Sequence, residues 1–598
     1  FVSDKDYPKP FRLGRQDYWF RYNTGMQLHL IGDSLIGWQA YDLSRGVDYL
    51  LTRSNADQKR IIMMGSVAGG GDPVAVAAAL DERVACAVVF NFGGPQPETR
   101  FPLPENAEQS FDYAGSGSWE STRNMSYSAR DGFLPWVIVG SIAPRKFIYA
   151  HEFSWDRERD PVWRRLRTIY EWHGKPEHLA SAQGYGSVRE SGDKASHCNN
   201  IGPVHRKAIH AALVKWFAIA EPREYSKRRP ASELLALTPQ LIAQRKPLSL
   251  GEVALDAREG PGNARPSGAY LFGPHAVAQT MAHWNDPLGG AAALKPAEVK
   301  ATPGAPVPIA GAVGHPVVLS LDGIVLPCWL IIPAIKGDTL PPVVVMVSQQ
   351  GKAALLKERA VAIAGLLRAG IAVCLPDVRG TGETRLDESR GRNSWDTSIS
   401  STALMLGKPL LGQRVRDLRT LVAYLKTRDD VDTQRLALWG DSLAAVNGPA
   451  THFRVPHDTE RMAPCEPLGG RLALLGAAYE GDVKAVYARG GVFEMRGALA
   501  SPFTSLPHDF VVPGAIGFDP LMNDDADALV RLALAGKAVR LAGPVDANNQ
   551  PADAEAQRRI NGLMAAIARG AKVTADILVD AAPASDEDVA AWMARRLM

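Results

Sequence analysis

Two periods of apolar spacing alternate along the chain. Val415, Leu418, Leu421, Val422 and Leu425 recur at helical spacing. The short apolar run Arg435 to Gly440 then predicts a strand that runs at once into a tight turn and small residues. Upstream, Pro316 to Pro333 reads as two strands of a hairpin, Pro342 to Ser348 as a buried strand, Ala354 to Ala369 as a helix and Ile371 to Asp377 as the next strand. Downstream, strands are predicted near Val483–Ala488, Ala538–Leu541 and Val573–Val579, before a helix over Asp586–Leu597. The N-terminal third repeats the later part of this series, with strands near Val84–Phe90, Lys146–Ala150 and Ala180–Gln183 and a closing helix from His205 to Ile219. Strands alternating with helices indicate a mostly parallel sheet flanked by helices, an α/β fold.

The two series are copies of one another. Gly32 to Gly65 aligns without a gap on Gly407 to Gly440, since 407 − 32 and 440 − 65 are both 375. Gly37, Asp42, Tyr49, Arg53, Asp57 and Arg60 meet identical residues at Gly412, Asp417, Tyr424, Arg428, Asp432 and Arg435. A repeat of this length is a duplicated domain rather than a solenoid unit. Further on, Val84 matches Val483 at an offset of 399, so the second copy carries 399 − 375 = 24 extra residues, expected around Pro449 to Gly469. The chain is therefore divided into a first unit (1–225), a Pro-, Gly- and Ala-rich linker or loose subdomain (226–312) and a second unit (313–598). Only 31 residues precede Gly32. The first unit is expected to lack its N-terminal strands in this chain, with further residues upstream of Phe1.

Composition acts mainly by exclusion. Lys and Arg number 67 against 64 Asp and Glu, a formal charge of +3, which argues against a nucleic-acid or polybasic membrane partner. No apolar run reaches the roughly 18 residues of a membrane span. Cys86, Cys198, Cys328, Cys374 and Cys465 are scattered and form neither a disulfide framework nor a CxxC pair. Gly69-Gly70-Gly71 follows a strand but lacks the Lys-Ser/Thr of a phosphate loop, and HxH and HExxH spacings are absent. Neither a cofactor nor a metal is expected.

A strand entering a sharp turn before a helix is the setting of a nucleophile elbow, G-x-S-x-G. Around it, Asp377 to Glu383 (DVRGTGE), Gly412 to Asp417 (GQRVRD) and Gly440 to Ala444 (GDSLA) resemble α/β-hydrolases of the acetyl xylan esterase group. In the first unit, Ala78 to Val84 (AALDERV), Ser141 to Phe147 (SIAPRKF), Tyr170 to Gly174 and Ser196-His197-Cys198 resemble that group and the glucuronoyl esterases. The resemblance implies two tandem α/β-hydrolase-type units and a substrate that is an ester on a plant polysaccharide or related glycan. The expected partner is such a small-molecule or polysaccharide ester, and the expected location is secreted or periplasmic.

Ester hydrolysis of this kind needs a nucleophile, a histidine to take its proton and an acid to orient that histidine. In the second unit Ser442 is the candidate nucleophile and Asp546 the acid, but Asp580 to Ser585, the loop where the base is expected, holds no histidine, and the last histidine of the chain is His508. In the first unit the repeat register puts Val67 at the nucleophile position, with Ser66 beside it; His197 is the candidate base and Asp156 the candidate acid, with Glu152 and Asp160 close by, while His205 reads as a helix-start residue. Each unit thus shows an incomplete triad. The extra residues of the second unit carry His452 and His457, in a segment read as a lid, a source of a substitute base or a surface loop. Trp119, Trp155, Trp163 and Trp172 read as core or as the lining of a sugar cleft. The sequence is read as a carboxylic-ester hydrolase with a serine nucleophile. The alternative is a catalytically impaired pseudo-hydrolase that binds glycans or serves as a scaffold. A peptidase of the prolyl-oligopeptidase kind would want a β-propeller, and no blade repeat is visible.

Overall fold

The computed structural model describes residues 16–66, 69–94, 99–110, 125–196, 201–224, 227, 229–259, 284–291, 294, 298–334, 339–386, 395–451, 462–492, 497–500, 504–507, 510–511, 536–558, 560–562 and 577–598. They form two units, Asp33–Leu248 and a larger one composed of Phe1–Gly32 and Ser249–Met598.

In the smaller unit, β1 (Ile62–Gly65), β2 (Cys86–Phe90), β3 (Lys146–His151) and β4 (Leu179–Gln183) form a sheet in the order β1-β2-β3-β4, every pairing parallel. Ala87, Val89, Phe147 and Tyr149 point to one face, where Val74, Ala78, Val162 and Leu166 meet them. Val88, Phe90, Ile148 and Ala150 point to the other, against Ile209 and Leu213 of helix Pro203–Phe217. Burial on both faces is why these strands read as continuous apolar runs. Among the described residues β1 is an edge strand, and its Met64 is 40% exposed.

Among the described residues the larger unit has ten strands: β5 (Lys300–Pro303), β6 (Val307–Ile309), β7 (Ala312–Leu321), β8 (Ile324–Pro333), β9 (Pro342–Ser348), β10 (Ala372–Pro376), β11 (Asp432–Asp441), β12 (Val483–Arg489), β13 (Ala538–Ala542) and β14 (Ile577–Asp580). Their order is β14-β13-β12-β11-β9-β10-β8-β7-β5, with β6 also on β7. Counted from β7, this is the strand order of the α/β-hydrolase fold. The β7–β8 hairpin closes through Asp322-Gly323, both at positive φ (51° and 76°), as a two-residue Asp-Gly turn requires. The helix predicted over Ala354–Ala369 is broken into Lys352–Glu358 and Ala360–Arg368.

Two segments belong to this larger unit that the sequence pattern assigned elsewhere. Helix Gln16–Leu30 is buried from Arg21 onward; Gln27 Nε2 donates to the Ala498 carbonyl at 2.7 Å and Asn23 Oδ1 accepts from Thr504 N at 3.3 Å. In the segment read as a linker, Trp284 and Leu288 are buried, and Gly412 leaves room for the Leu288 carbonyl, which any Cβ there would overlap. These anchors are too sparse to produce a period, so they read as linker.

The repeat is visible strand by strand. Ile62 pairs with Cys86 and Ala437 with Ala485, and 437 − 62 = 375 while 485 − 86 = 399. Cys86 pairs with Lys146 as Ala485 does with Ala538, and Phe147 with Leu179 as Val539 does with Ile577. The four strands of the smaller unit thus have the register of β11 to β14.

Candidate active site

The resembling motifs brace loops. Asp377 accepts from Lys352 N, Lys352 Nζ and Glu383 N at 2.7, 2.6 and 2.9 Å. Asp417 accepts from Arg379 N and Nε at 2.9 and 2.8 Å. In the smaller unit, Arg145 Nη1 donates to the carbonyls of Asp81 and Val84, both at 2.9 Å, and its own carbonyl accepts from Tyr170 Oη at 2.7 Å. Buried charges need partners, so these residues are constrained by the fold whatever the substrate.

The glycines of the elbow behave alike in both units until the turn itself. A Cβ on Gly65 would overlap the Gly70 carbonyl, and one on Gly440 would overlap the Gly469 carbonyl. Gly70 lies against the backbone of Ser66 as Gly469 lies against that of Asp441. The strand-side offset, 441 − 66 = 375, therefore gives way to a helix-side offset, 469 − 70 = 399, within the elbow. The extra residues fall between Asp441 and Gly469, a span that takes in the expected position around Pro449, and helix Leu468–Tyr479 takes the place of helix Gly71–Leu80.

Ser442 is the first residue past β11. Its N–H donates to the Arg489 carbonyl at 2.9 Å, and among the described residues no regular element follows until the helix at Leu468. The side chain lies beside Gly490, whose positive φ (62°) keeps that position open. Among the described residues no imidazole is hydrogen-bonded to the Ser442 hydroxyl; His452, His457 and His508 lie outside the described residues. The preceding residue, Asp441, is fully buried and gripped by Arg359 Nε and Nη2 at 2.8 and 2.9 Å, with Trp439 Nε1 at 2.9 Å.

On the helix side of the connection, Glu466 stands three residues before Gly469. It is 6% exposed. Its Oε2 accepts from Leu443 N and its Oε1 from Gln350 Nε2, both at 2.8 Å. Neighbouring Cys465 is buried against the Ser505 hydroxyl and the carbonyls of Asp546 and Ala547. Burial pushes its thiol up to about 12, so it is no nucleophile at neutral pH.

Asp546 organises its own loop. Its Oδ1 accepts from Asn548 N and Gln550 N at 2.9 and 2.8 Å. Burial raises its pKa against those hydrogen bonds. The loop also anchors the extra residues. Asn447 Nδ2 donates to the Asn548 and Ala463 carbonyls at 2.7 and 2.9 Å, Asn447 N to the Asn549 carbonyl at 2.8 Å, and Asn549 Nδ2 to the Ala445 carbonyl at 2.8 Å.

In the smaller unit the acid that meets the elbow is Glu152, at the end of β3, fully buried, with Oε1 2.5 Å from Ser66 Oγ. Asn91 Oδ1 accepts from Glu152 N at 3.1 Å. Asp156 accepts from Leu103 N at 3.3 Å and faces Arg159 at 3.8 Å. Asp160 caps helix Pro161–Trp172 through Val162 N at 2.8 Å. His205 is indeed in the first turn of its helix; Nε2 donates to the Glu152 carbonyl at 2.9 Å, Nδ1 accepts from Gly202 N at 3.1 Å, and burial lowers its pKa. Val67 and His197 lie outside the described residues. Trp155 and Trp163 are core residues packed edge-on at 5.7 Å, whereas Trp172 is 80% exposed; Trp119 lies outside the described residues.

Glu466, Gln350, Arg359 and Asn447 escaped the sequence reading. A signal for Glu466 was present: Gly469-Gly470 before an apolar helix repeats Gly70-Gly71, and a carboxylate stands three residues before Gly469.

No family model and no curated protein matches the chain. Among solved structures it is similar to an acetyl xylan esterase from Thermoanaerobacterium (17% identity over 55% of this chain and 96% of that one, TM-score 0.33), to an acetyl xylan esterase from Paenibacillus (16%, 56% and 98%, 0.33) and to a glucuronoyl esterase from Solibacter usitatus (10%, 54% and 92%, 0.35). Likenesses this distant leave the activity to be read from the site.

Proposed function

We propose that the protein is of the carboxylic-ester hydrolase class, acetyl xylan esterase-like, and that its second site now holds a carbohydrate ester or glycan without turning it over. The carrying observation is the divided elbow. A nucleophilic serine is presented by a strained strand-to-helix turn, whereas Ser442 stands one residue past β11 with its N–H spent on the Arg489 carbonyl, and the helix that packs on the strand starts only at Leu468. The carbohydrate ligand and a secreted or periplasmic destination accompany the motif resemblance. An active esterase with Ser442 as nucleophile and Asp546 as acid is the competing reading; in its favour, Ser442 follows the central strand β11 directly.

The test is hydrolysis of an activated aryl acetate, with fluorophosphonate labelling and retention on acetylated xylan, for the full chain and for Ser442→Ala. The expected result is no label at Ser66 or Ser442, the same slow rate in both proteins, and retention of both. A rate lost in Ser442→Ala, or a label on Ser442, restores the esterase reading. Rate loss in His197→Ala as well would bring that histidine into the mechanism.

A further inference from the structure

A hydrolase of this fold stabilises its oxyanion with the backbone N–H that follows the nucleophile and with a donor from the loop after the third strand. In the larger unit those places are Leu443 and the loop after β9, which carries Gln350. Both donate to one internal group: Leu443 N to Oε2 and Gln350 Nε2 to Oε1 of Glu466, each at 2.8 Å. The carboxylate is nearly buried and stands just before helix Leu468–Tyr479, whose N-terminal end favours negative charge.

We infer that Glu466 is a built-in ligand: its carboxylate fills the anion cradle of this site, and the cradle, once vacated, takes a small carboxylate such as acetate. The insertion is what delivers it. In the smaller unit five residues join Gly65 to Gly71, by 71 − 65 − 1; here the connection is longer by 24 residues, by 399 − 375, and Glu466 near its helix end reaches the donors beside Ser442. A buried carboxylate is tolerable only where charge-assisted hydrogen bonds replace its water, and these two donors supply them. Acetate presents the same two oxygens as the glutamate side chain and the same group that an acetyl ester releases.

This deepens the reading of the site as a hydrolase crevice without turnover. Its test measures binding alone, so the two can fail separately. The full chain is titrated with labelled acetate, followed by NMR line broadening at constant ionic strength with chloride as the counter-titrant. Glu466→Ala is expected to bind acetate saturably and at least about tenfold more tightly than the wild type, a modest demand on two hydrogen bonds to a charged group. Glu466→Gln, which keeps the shape and one acceptor for Leu443, is expected to behave like the wild type. Glu466→Ser repeats the measurement should the alanine variant not fold. Equal binding by the wild type and the truncated variant overturns the inference. So does a folded truncated variant that binds no acetate, or a glutamine variant that binds as tightly as the alanine one.

Discussion

The two elbows begin with the same physics and end differently. Each strand reaches a glycine pressed against a glycine carbonyl at the start of the next helix, in the same sheet register. In the smaller unit five residues connect Gly65 to Gly71, whereas in the larger one twenty-nine connect Gly440 to Gly470, by 71 − 65 − 1 and 470 − 440 − 1. The packing of strand on helix is indifferent to this, because it depends on the two glycines and not on what joins them. The chemistry is not indifferent, because a nucleophile elbow is a property of the connection.

The comparison breaks most visibly if the glycines are not equivalent. Gly440→Ala and Gly65→Ala should each destabilise their own unit by about 3 kcal/mol or more, because backbone must move to admit a Cβ, while Gly448→Ala, with nothing near it, should be silent. Chemical denaturation of the full chain, followed unit by unit, checks this. A small effect at Gly440 alone would mean that the divided elbow is looser than the intact one.

Next in size is the charge beneath the divided elbow. Arg359→Met leaves Asp441 buried without its guanidinium and should cost about 3–5 kcal/mol. Adding Asp441→Asn should recover much of that loss, since the uncompensated charge is what costs. In the smaller unit the matching position is Ser66, which carries no charge, and no such cycle exists there.

A third difference lies in pH dependence. Burial pushes Asp160 up to about 7 from 3.8, so the folded smaller unit favours its protonated form. Its stability should be fullest below about pH 4 and should fall, by the order of a few kcal/mol, as pH rises through about 7. Asp160→Asn, which keeps an acceptor for the helix cap, should flatten that fall. Thermal melts from pH 4 to 8 test it, and a slope that survives the substitution would assign the effect to another group.

The smallest effect should be local. Asn447→Ala removes the amide that ties the insertion to the loop at Asn548 and should cost about 1–3 kcal/mol. It should be detectable first as faster limited proteolysis near residue 450, with the sheet unaffected.

The sequence by itself determined the strand series and its mostly parallel character. The apolar runs and the offset of 375 are local properties, and β9 and helix Asp586–Leu597 lie where the pattern puts them. It also exposed the want of a base after β14. Only the tertiary structure decided which segments complete the larger unit, since helix Gln16–Leu30 and residues 284–291 are joined to it by contacts far away in sequence. The same holds at the site. GDSLA reads as an elbow because four or five letters record residue types and not the turn between them. Whether Ser442 is strained, whether Glu152 or Asp156 meets Ser66, and which carboxylate reaches Leu443 are settled by packing between distant strands and helices, which no local pattern encodes.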